Sequence, residues 1–362
     1  MSRSLVEERL SGHNRWHPDV PPILTVAPGD VVDLDVRDGM DQQVNTETKS
    51  EDIPAVDGRR GHPMTGPIFV EGAEVGDLLE VETVEIEPDS YAWSSILPGF
   101  CYLPEEFPDP YLVHWTIRDN IATTPSLPGI AIEGRPFLGT MGVAPSLEHL
   151  REYDARERAL AERSDGIVPL PTPEQAVPND EPLASEGLRT VPPRENGGNM
   201  DVKQMTAGSR AFFPVDVPGA LLSVSDTHFA QGDGESGGSA IEVASRVRLR
   251  LGLRKAESLS WRPRYPFVEF DEPAQRLARP HVLTTGISIT PGGENQYLDI
   301  TSAAKEALRE MVAYLIGERG LEHDQAAIIL AVAVDLRASS VVNNPNALVS
   351  AVLPLDIFSD ES

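Results

Sequence analysis

The chain of 362 residues carries 57 acidic and 30 basic side chains, which gives a formal net charge of −27 at pH 7. So large a negative charge opposes binding to nucleic acid and to anionic membranes. Hydrophobic residues make up 40% of the chain, which is ordinary for a globular protein and too high for global disorder.

Features of secreted and membrane proteins are missing from the sequence. Cys101 is the only cysteine, which excludes an internal disulfide and a cysteine-based zinc site and fits a reducing cytoplasm. The first ten residues lack the apolar core of a signal peptide. The longest apolar run, 326–334, is too short to span a bilayer. We therefore expect a soluble cytoplasmic protein.

Short strands and turns dominate the beginning of the chain. Residues 23–27 and 31–36 have the pattern of strands around a Pro-Gly-Asp turn, and the same pattern returns at 75–82. Without helical crossovers, such units predict β-sandwich or β-barrel-like subdomains in a mainly β protein. Residues 91–120 are rich in aromatic side chains and are predicted as loops, which either wall a substrate pocket or cover a core.

The composition changes at Leu147. Residues 147–164 predict a charged helix, and residues 169–193 are rich in Pro and Glu, which predicts an exposed linker. Together they indicate an insertion into the β scaffold, which we expect to contact a neighbouring subunit or to cover a pocket mouth.

The C-terminal part has an α+β pattern. Thr301 or Ser302 can cap a helix that ends at Gly317 or Gly320, and residues 326–334 predict a buried helix. The chain is thus predicted to comprise an N-terminal β subdomain, a helical and Pro-rich insertion, a central β subdomain and an α+β C-terminal subdomain, at residues 1–146, 147–193, 194–290 and 291–362.

The segment 223–235 carries the strongest candidate site. If the preceding apolar run is a strand, Asp226 and His228 point to the same face, since strand side chains alternate. The Gly-rich turn that follows can bring Glu235 back toward this pair. Two carboxylates and an imidazole suit a divalent metal. The alternative is a hydrogen-bonded loop in which Asp226 and Asp233 cap backbone N–H groups.

Several segments, taken together, resemble one enzyme family. The segment Ser-Asp-Thr-His-Phe-Ala-Gln-Gly-Asp-Gly-Glu at 225–235 is similar to the acetamidase/formamidase family of amide hydrolases. Further resemblance lies at 61–73, 136–145, 194–203 and in the closing segments 335–337, 341–346 and 353–358. The resemblance runs from His13 to Phe358 outside the insertion. It implies hydrolysis of short linear amides, such as formamide or acetamide, to a carboxylate and ammonia, and we expect a homo-oligomer.

The resemblance also implies residue roles. Asp38, Asp226 and His228 are the predicted ligands of a divalent metal, most simply zinc, with Glu235 as proton relay beside His228. Glu235 could instead be a ligand, and Asp38 could instead close its own turn, because the turn after it departs from the family pattern. The candidate substrate-binding residues lie in the matching segments: His62, Asn199 and Asp201.

Other functions fit the same residues. The nearest alternative is hydrolysis of a cyclic amide, a γ-lactam, because the size of the pocket is not visible in a sequence. A second is a non-haem metal oxygenase, since an Asp-x-His pair with a distant carboxylate can bind iron. A third is a non-catalytic binding module. No serine lies in a nucleophile elbow, and Cys101 lies apart from the matching segments, which disfavours nucleophilic catalysis.

Overall fold

One extended β-sheet forms the frame of the protein. The computed structural model describes residues 12–100, 108–127, 131–164, 166–232, 234–235, 237–271, 280–321, 326, 334–355 and 358. Within them, sixteen strands join in one sheet. The strands are β1 (Leu24–Val26), β2 (Val31–Val36), β3 (Thr65–Val70), β4 (Leu78–Ile96), β5 (Tyr111–Arg118), β6 (Ile121–Thr123), β7 (Ala131–Glu133), β8 (Phe137–Gly142), β9 (Gly197–Asn199), β10 (Arg210–Pro214), β11 (Leu222–His228), β12 (Glu242–Arg254), β13 (Phe267–Asp271), β14 (Pro280–Ile287), β15 (Asp335–Ser340) and β16 (Leu348–Pro354).

The described helices are few. They are α1 (Leu147–Ala161), α2 (Leu183–Glu186) and α3 (Ile300–Arg319), with 3-10 helices at Ser50–Ala55 and Ala256–Ser258. None of the described helices is long and apolar enough to cross a bilayer. The prediction of a mainly β protein with an α+β C-terminal part is confirmed.

The sheet is open and mixed. Its main path runs β1-β3-β11-β12-β4-β10-β13-β14-β16-β15. Off this path, β2 pairs with β12, β5 with β4, and β8 with both β11 and β9. Only β1 and β3 pair in parallel among the described strand pairs, so most neighbouring strands are antiparallel. The largest apolar core fills the space between these strands and includes Leu34, Val224 and Val247.

The loop prediction for residues 91–120 is wrong for much of that segment. The long strand β4 continues to Ile96, and β5 pairs with it in an antiparallel register that sets Trp93 opposite His114. The aromatic side chains of this segment obscured the strands because they supply both core and cavity walls. Cys101 lies outside the described residues.

The predicted insertion begins as expected and then departs from the prediction. Helix α1 confirms the charged helix, and its buried face packs Leu150 and Tyr153 against Trp16. The exposed-linker prediction is wrong at residues 187–190, which are buried. There, Leu188 pairs through its backbone with Trp16, so this end of the segment is fixed to the N-terminal arm. The division into four subdomains stays a prediction.

Helix α3 covers the C-terminal strands. It packs on β14 and β16, where Gly286 is required because a side chain there would meet the helix backbone at Ala307. The predicted cap is wrong by two or three residues: the Asp299 side chain accepts the hydrogen bond from the backbone N–H of Ser302. Gly320, in the left-handed conformation, ends the helix as predicted. The helix expected at 326–334 lies outside the described residues except for its two ends.

Candidate metal centre and active site

A row of side chains crosses five strands on one face of the sheet. The register sets His228 of β11 opposite Phe137 of β8 on one side and opposite Glu242 of β12 on the other. Glu242 in turn lies opposite Trp93 of β4, and Trp93 opposite His114 of β5. Directly opposite residues in antiparallel strands project to the same face. The sheet therefore brings an imidazole, a carboxylate and an indole together.

His228 is the centre of this group. Its Nε2 lies 3.3 Å from Asp226 Oδ2, 3.4 Å from Glu242 Oε2 and 3.9 Å from Glu235 Oε1. Its Nδ1 lies 2.7 Å from Gln231 Oε1, an oxygen that can only accept a hydrogen bond. Nδ1 therefore carries the proton in the neutral imidazole, which leaves Nε2 available as a metal ligand.

A fourth buried carboxylate adjoins the imidazole from the other side. Asp201 Oδ1 lies 3.8 Å from His228 Nδ1, and Asp201 Oδ2 accepts a hydrogen bond from Asn343 Nδ2. Two combinations of side chains could thus hold a metal ion, and they share the imidazole: Asp226, His228 and Glu242, or Asp201, His228 and Glu235. Because Nε2 is the available nitrogen, the first combination fits a cation better.

The oxygen atoms of these side chains suit a divalent cation, as their hydrogen bonding shows. Among the described residues, neither Asp201 Oδ1 nor Glu242 Oε2 has a hydrogen-bond partner, although both are buried. A buried oxygen without a donor is costly, and a cation would satisfy it. Gly139 has no side chain and so leaves the space that these carboxylates occupy. A Cβ atom there would lie 2.7 Å from Asp201 Oδ1 and 2.9 Å from Asp226 Oδ2.

The protonation of the cluster leads to the same conclusion. Burial raises the pKa of Asp201 and of Glu242 to about 7. Burial, reinforced by Asp201, raises the pKa of Glu235 well above its usual value. Burial alone would lower the pKa of His228, but Glu242 and Asp226 raise it well above its usual value. The excess negative charge thus has to be balanced by protons or by a bound cation.

Two cavities meet at this cluster. The smaller cavity, of about 110 Å³, is bordered by Asp226, Glu242 and Asn199. The larger cavity, of about 890 Å³, is bordered by Gln231 and other residues. Glu235 borders both cavities, so it stands where a small molecule could approach the metal group from either side.

The structure brings most of the predicted site residues together, and Asp38 lies close enough to Asp226 for that charge to reinforce burial in raising its pKa. Asp226, His228 and Glu235 converge, as the spacing and the glycine turn predicted. Asp38 is outside both metal-holding combinations, since its Oδ1 accepts hydrogen bonds from the backbone N–H groups of Met40, at 2.9 Å, and Gln42. Burial raises the pKa of Asp38 to about 6. The turn alternative therefore describes this side chain, and its role as a ligand stays a prediction without geometric support.

The predicted substrate-binding residues divide between the cavity and the metal group. His62 borders the smaller cavity, with Nε2 3.8 Å from Asp226 Oδ2. Asn199 borders the same cavity and accepts a hydrogen bond from Thr140 Oγ1 at 2.6 Å. Asp201 lies on the Nδ1 side of His228, away from the carboxylates that border the smaller cavity, and is a candidate metal ligand. Their binding roles stay predictions.

Three residues of the site were missed by the sequence analysis. Glu242 begins β12, and pairing of the consecutive strands β11 and β12 sets it opposite His228. Gln231 lies inside the matching motif but was not assigned a role. Asn343, whose Nδ2 donates to the Asn199 carbonyl and to Asp201, lies in the matching segment 341–346 but was not assigned a role.

Comparison with known proteins gives a consistent assignment. The chain matches the acetamidase/formamidase family over residues 1–360. It is 34% identical over 364 residues to a formamidase of Methylophilus methylotrophus, covering 96% of this chain and 89% of that one. It is also 34% identical over 354 residues to an acetamidase of Mycolicibacterium smegmatis, covering 91% and 87% of the two chains.

Solved structures extend the likeness to the fold. A γ-lactamase from Delftia acidovorans matches with a TM-score of 0.71 and 32% identity, covering 98% of this chain and 93% of the other. An acetamidase from Bacillus halodurans matches with a TM-score of 0.75 and 24% identity over 98% of each chain, which supports the fold alone. Family match, identity and coverage agree, and the chain belongs to the acetamidase/formamidase family.

Proposed function

We propose that the protein hydrolyses short linear carboxamides, such as formamide and acetamide, to a carboxylate and ammonia. The observation that carries this proposal is the position of His228 Nε2 between Asp226 and Glu242, at the edge of the smaller cavity. The cavity, of about 110 Å³, is large enough to admit a small molecule next to this group. The formamidase and acetamidase relatives support the same reaction class.

We assign the metal-holding role to Asp226, His228 and Glu242, with zinc as the proposed ion. When bound, such an ion polarises a carbonyl and lowers the pKa of a bound water toward neutrality. Gln231 holds the imidazole so that Nε2 faces the cation. Asp201 and Glu235 form the alternative ligand combination with the same imidazole.

Glu235 is the proposed proton relay. It borders both cavities, and its Oε1 lies close to the Nε2 face of His228. The water oxygen bonds to the carbonyl carbon, and the carboxylate of Glu235 takes the proton that the water loses. The same carboxyl then donates this proton to the amide nitrogen, the C–N bond breaks, and ammonia leaves. Its raised pKa suits a group that must both accept and donate.

A cyclic amide is the second candidate substrate, because the γ-lactamase of Delftia acidovorans is 32% identical to this chain. We place the linear amides first because the formamidase and acetamidase relatives are 34% identical to this chain. Turnover of 2-pyrrolidinone compared with acetamide separates the two, and a preference for the ring would overturn the linear assignment.

Ammonia release, measured together with metal content, tests the proposal. Purified protein should release ammonia from formamide or acetamide and contain close to one equivalent of divalent metal per chain. Chelation should abolish turnover, and added zinc should restore it. Full activity of metal-free protein would exclude this mechanism. Iron content with oxygen uptake would instead favour the oxygenase alternative.

We also propose a homo-oligomer in the reducing cytoplasm. The single cysteine among 362 residues supports that compartment. Light scattering coupled to size-exclusion chromatography measures the oligomeric state, and a mass near 39.3 kDa would contradict the oligomer.

A further inference from the structure

The smaller cavity has two unlike walls. One wall carries the polar and acidic groups of the site, among them Asp226, Glu242 and Asn199. The other wall is apolar, and its members come from the segment after β2 and the end of β4: Met40, Val44, Ile53, Val56, Trp93 and Leu97. All six belong to one apolar cluster, so they support one another as a wall. A cavity of this kind fits a small molecule with a polar head and a short apolar tail.

Trp93 connects the two walls. It lies directly opposite Glu242 in the pairing of β4 with β12, so the indole stands beside the carboxylate that faces His228 Nε2. The side chain is only 3% exposed. Its Nε1 is itself buried and has no hydrogen-bond acceptor among the described residues. Trp93 therefore offers the cavity apolar surface rather than a hydrogen-bond donor.

The other described tryptophans show what is particular about Trp93. Trp115 also borders a cavity, the larger one, but its Nε1–H donates to Ser94 Oγ at 3.0 Å. Trp16 and Trp261 also have a buried Nε1 without an acceptor among the described residues, yet neither borders either cavity, and Trp261 packs against Tyr314 under α3. Among the described tryptophans, only Trp93 borders the smaller cavity, next to the metal group.

We propose that Trp93 limits the length of the amide that the site accepts. This inference rests on the proposed function. The ring, with Leu97 and Ile53 beside it, closes the apolar end, so that one methyl group fits where a propyl group does not. Trp93 contributes no proton and no metal ligand, so its effect falls on binding and chain-length selection.

Two substitutions test this role by degrees. Trp93→Ala opens the wall, and should raise kcat/KM for butyramide relative to acetamide by about ten-fold, because two further methylene groups can be buried. Trp93→Phe keeps an aromatic ring in the wall, and should change this ratio less, with metal content unchanged. Trp261→Phe is the matched control and should not change this ratio.

Failure of the inference and failure of the proposed function give different results. If the wild-type protein releases no ammonia from formamide, acetamide, propionamide or butyramide, the proposed function is wrong and this inference with it. If it does release ammonia, an unchanged chain-length preference in Trp93→Ala overturns the role of Trp93 alone. Should Trp93→Ala not fold, Trp93→Leu enlarges the same wall and is judged by the same ratio.

Discussion

The Gln231 side-chain oxygen accepts a hydrogen bond from Nδ1–H of His228 at 2.7 Å. The Gln231 amide nitrogen donates in turn to the backbone carbonyl of Asp201 at 3.3 Å, which orients the amide group. The imidazole is therefore held in one tautomer by a residue that is not itself a candidate metal ligand. Such supporting contacts are commonly as important to a metal site as the ligands themselves.

Gln231→Leu should therefore weaken metal binding by about ten- to a hundred-fold, the usual effect of losing a partner of a ligating histidine. The measurement is a zinc titration against a competing chelator. Gln204→Leu is the matched control, because Gln204 is a buried glutamine on the same larger cavity whose Nε2 has no partner among the described residues. Equal zinc affinity in the two variants would contradict the role given to Gln231.

Glu235→Gln and Glu242→Gln distinguish the proton relay from a ligand. Both substitutions preserve shape and remove a buried carboxylate. Glu235→Gln should keep its metal and lose about a hundred-fold or more in turnover, the usual scale of general acid–base catalysis. Glu242→Gln should lose metal and activity together, since a neutral amide is a poorer ligand. If metal is lost from Glu235→Gln and retained in Glu242→Gln, the second combination, with Asp201, holds the ion.

Breaking the buried ion pair between Glu157 and Arg194 from one side should strongly destabilise the fold. Two hydrogen bonds, of 2.7 and 2.8 Å, join these fully buried groups and fasten α1 to the segment before β9. Glu157→Gln leaves an unpaired buried guanidinium and should lower the free energy of unfolding by about 3–5 kcal/mol. The double variant Glu157→Leu with Arg194→Met should recover most of that loss in urea denaturation. A fully stable single variant would show that α1 is held by other contacts.

Stability should fall in mild acid because of His13. Burial lowers the pKa of His13 from 6.5 to about 4, and its two ring nitrogens lie 2.7 Å from the Arg15 carbonyl oxygen and 2.8 Å from Ser223 Oγ. Between pH 6.5 and 4 the unfolded chain binds this proton and the folded chain does not, so stability is lost as the pH falls. The loss from this one group should approach about 3 kcal/mol. His13→Gln should remove that part of the pH dependence, as urea denaturation at pH 7 and pH 4 measures; an unchanged pH dependence would contradict the assignment.

Short-range patterns of the sequence were sufficient for part of the site. Asp226 and His228 converge because they are two residues apart on a strand, and Glu235 returns to them because the glycines between permit a tight turn. Each of these relations involves a dozen residues or fewer, over which backbone geometry alone constrains side-chain direction.

The remaining site residues depend on pairing between distant strands. Glu242 faces His228 only because β11 and β12 adopt one register, and Asn343 arrives from more than a hundred residues away. Asp38 shows that a residue chosen by resemblance can have other contacts in the structure. The resemblance selected it as a ligand, but the backbone N–H groups of its own turn engage its carboxylate, a competition that only coordinates reveal. The fold class could be predicted from strand patterns, whereas the branching of the sheet could not.

The row that joins Phe137, His228, Glu242, Trp93 and His114 makes catalysis dependent on strand register. Neighbouring strands lie about 4.8 Å apart, so five strands space these side chains over about 19 Å without any loop between them. A slip of one residue in β12 would turn Glu242 to the opposite face while leaving the sheet itself paired. The pairing of β12 with β4 is irregular between Val243 and Ser245, so the register at Glu242 differs from that of the long remainder of the strand. Misregistered molecules would thus be folded and inactive.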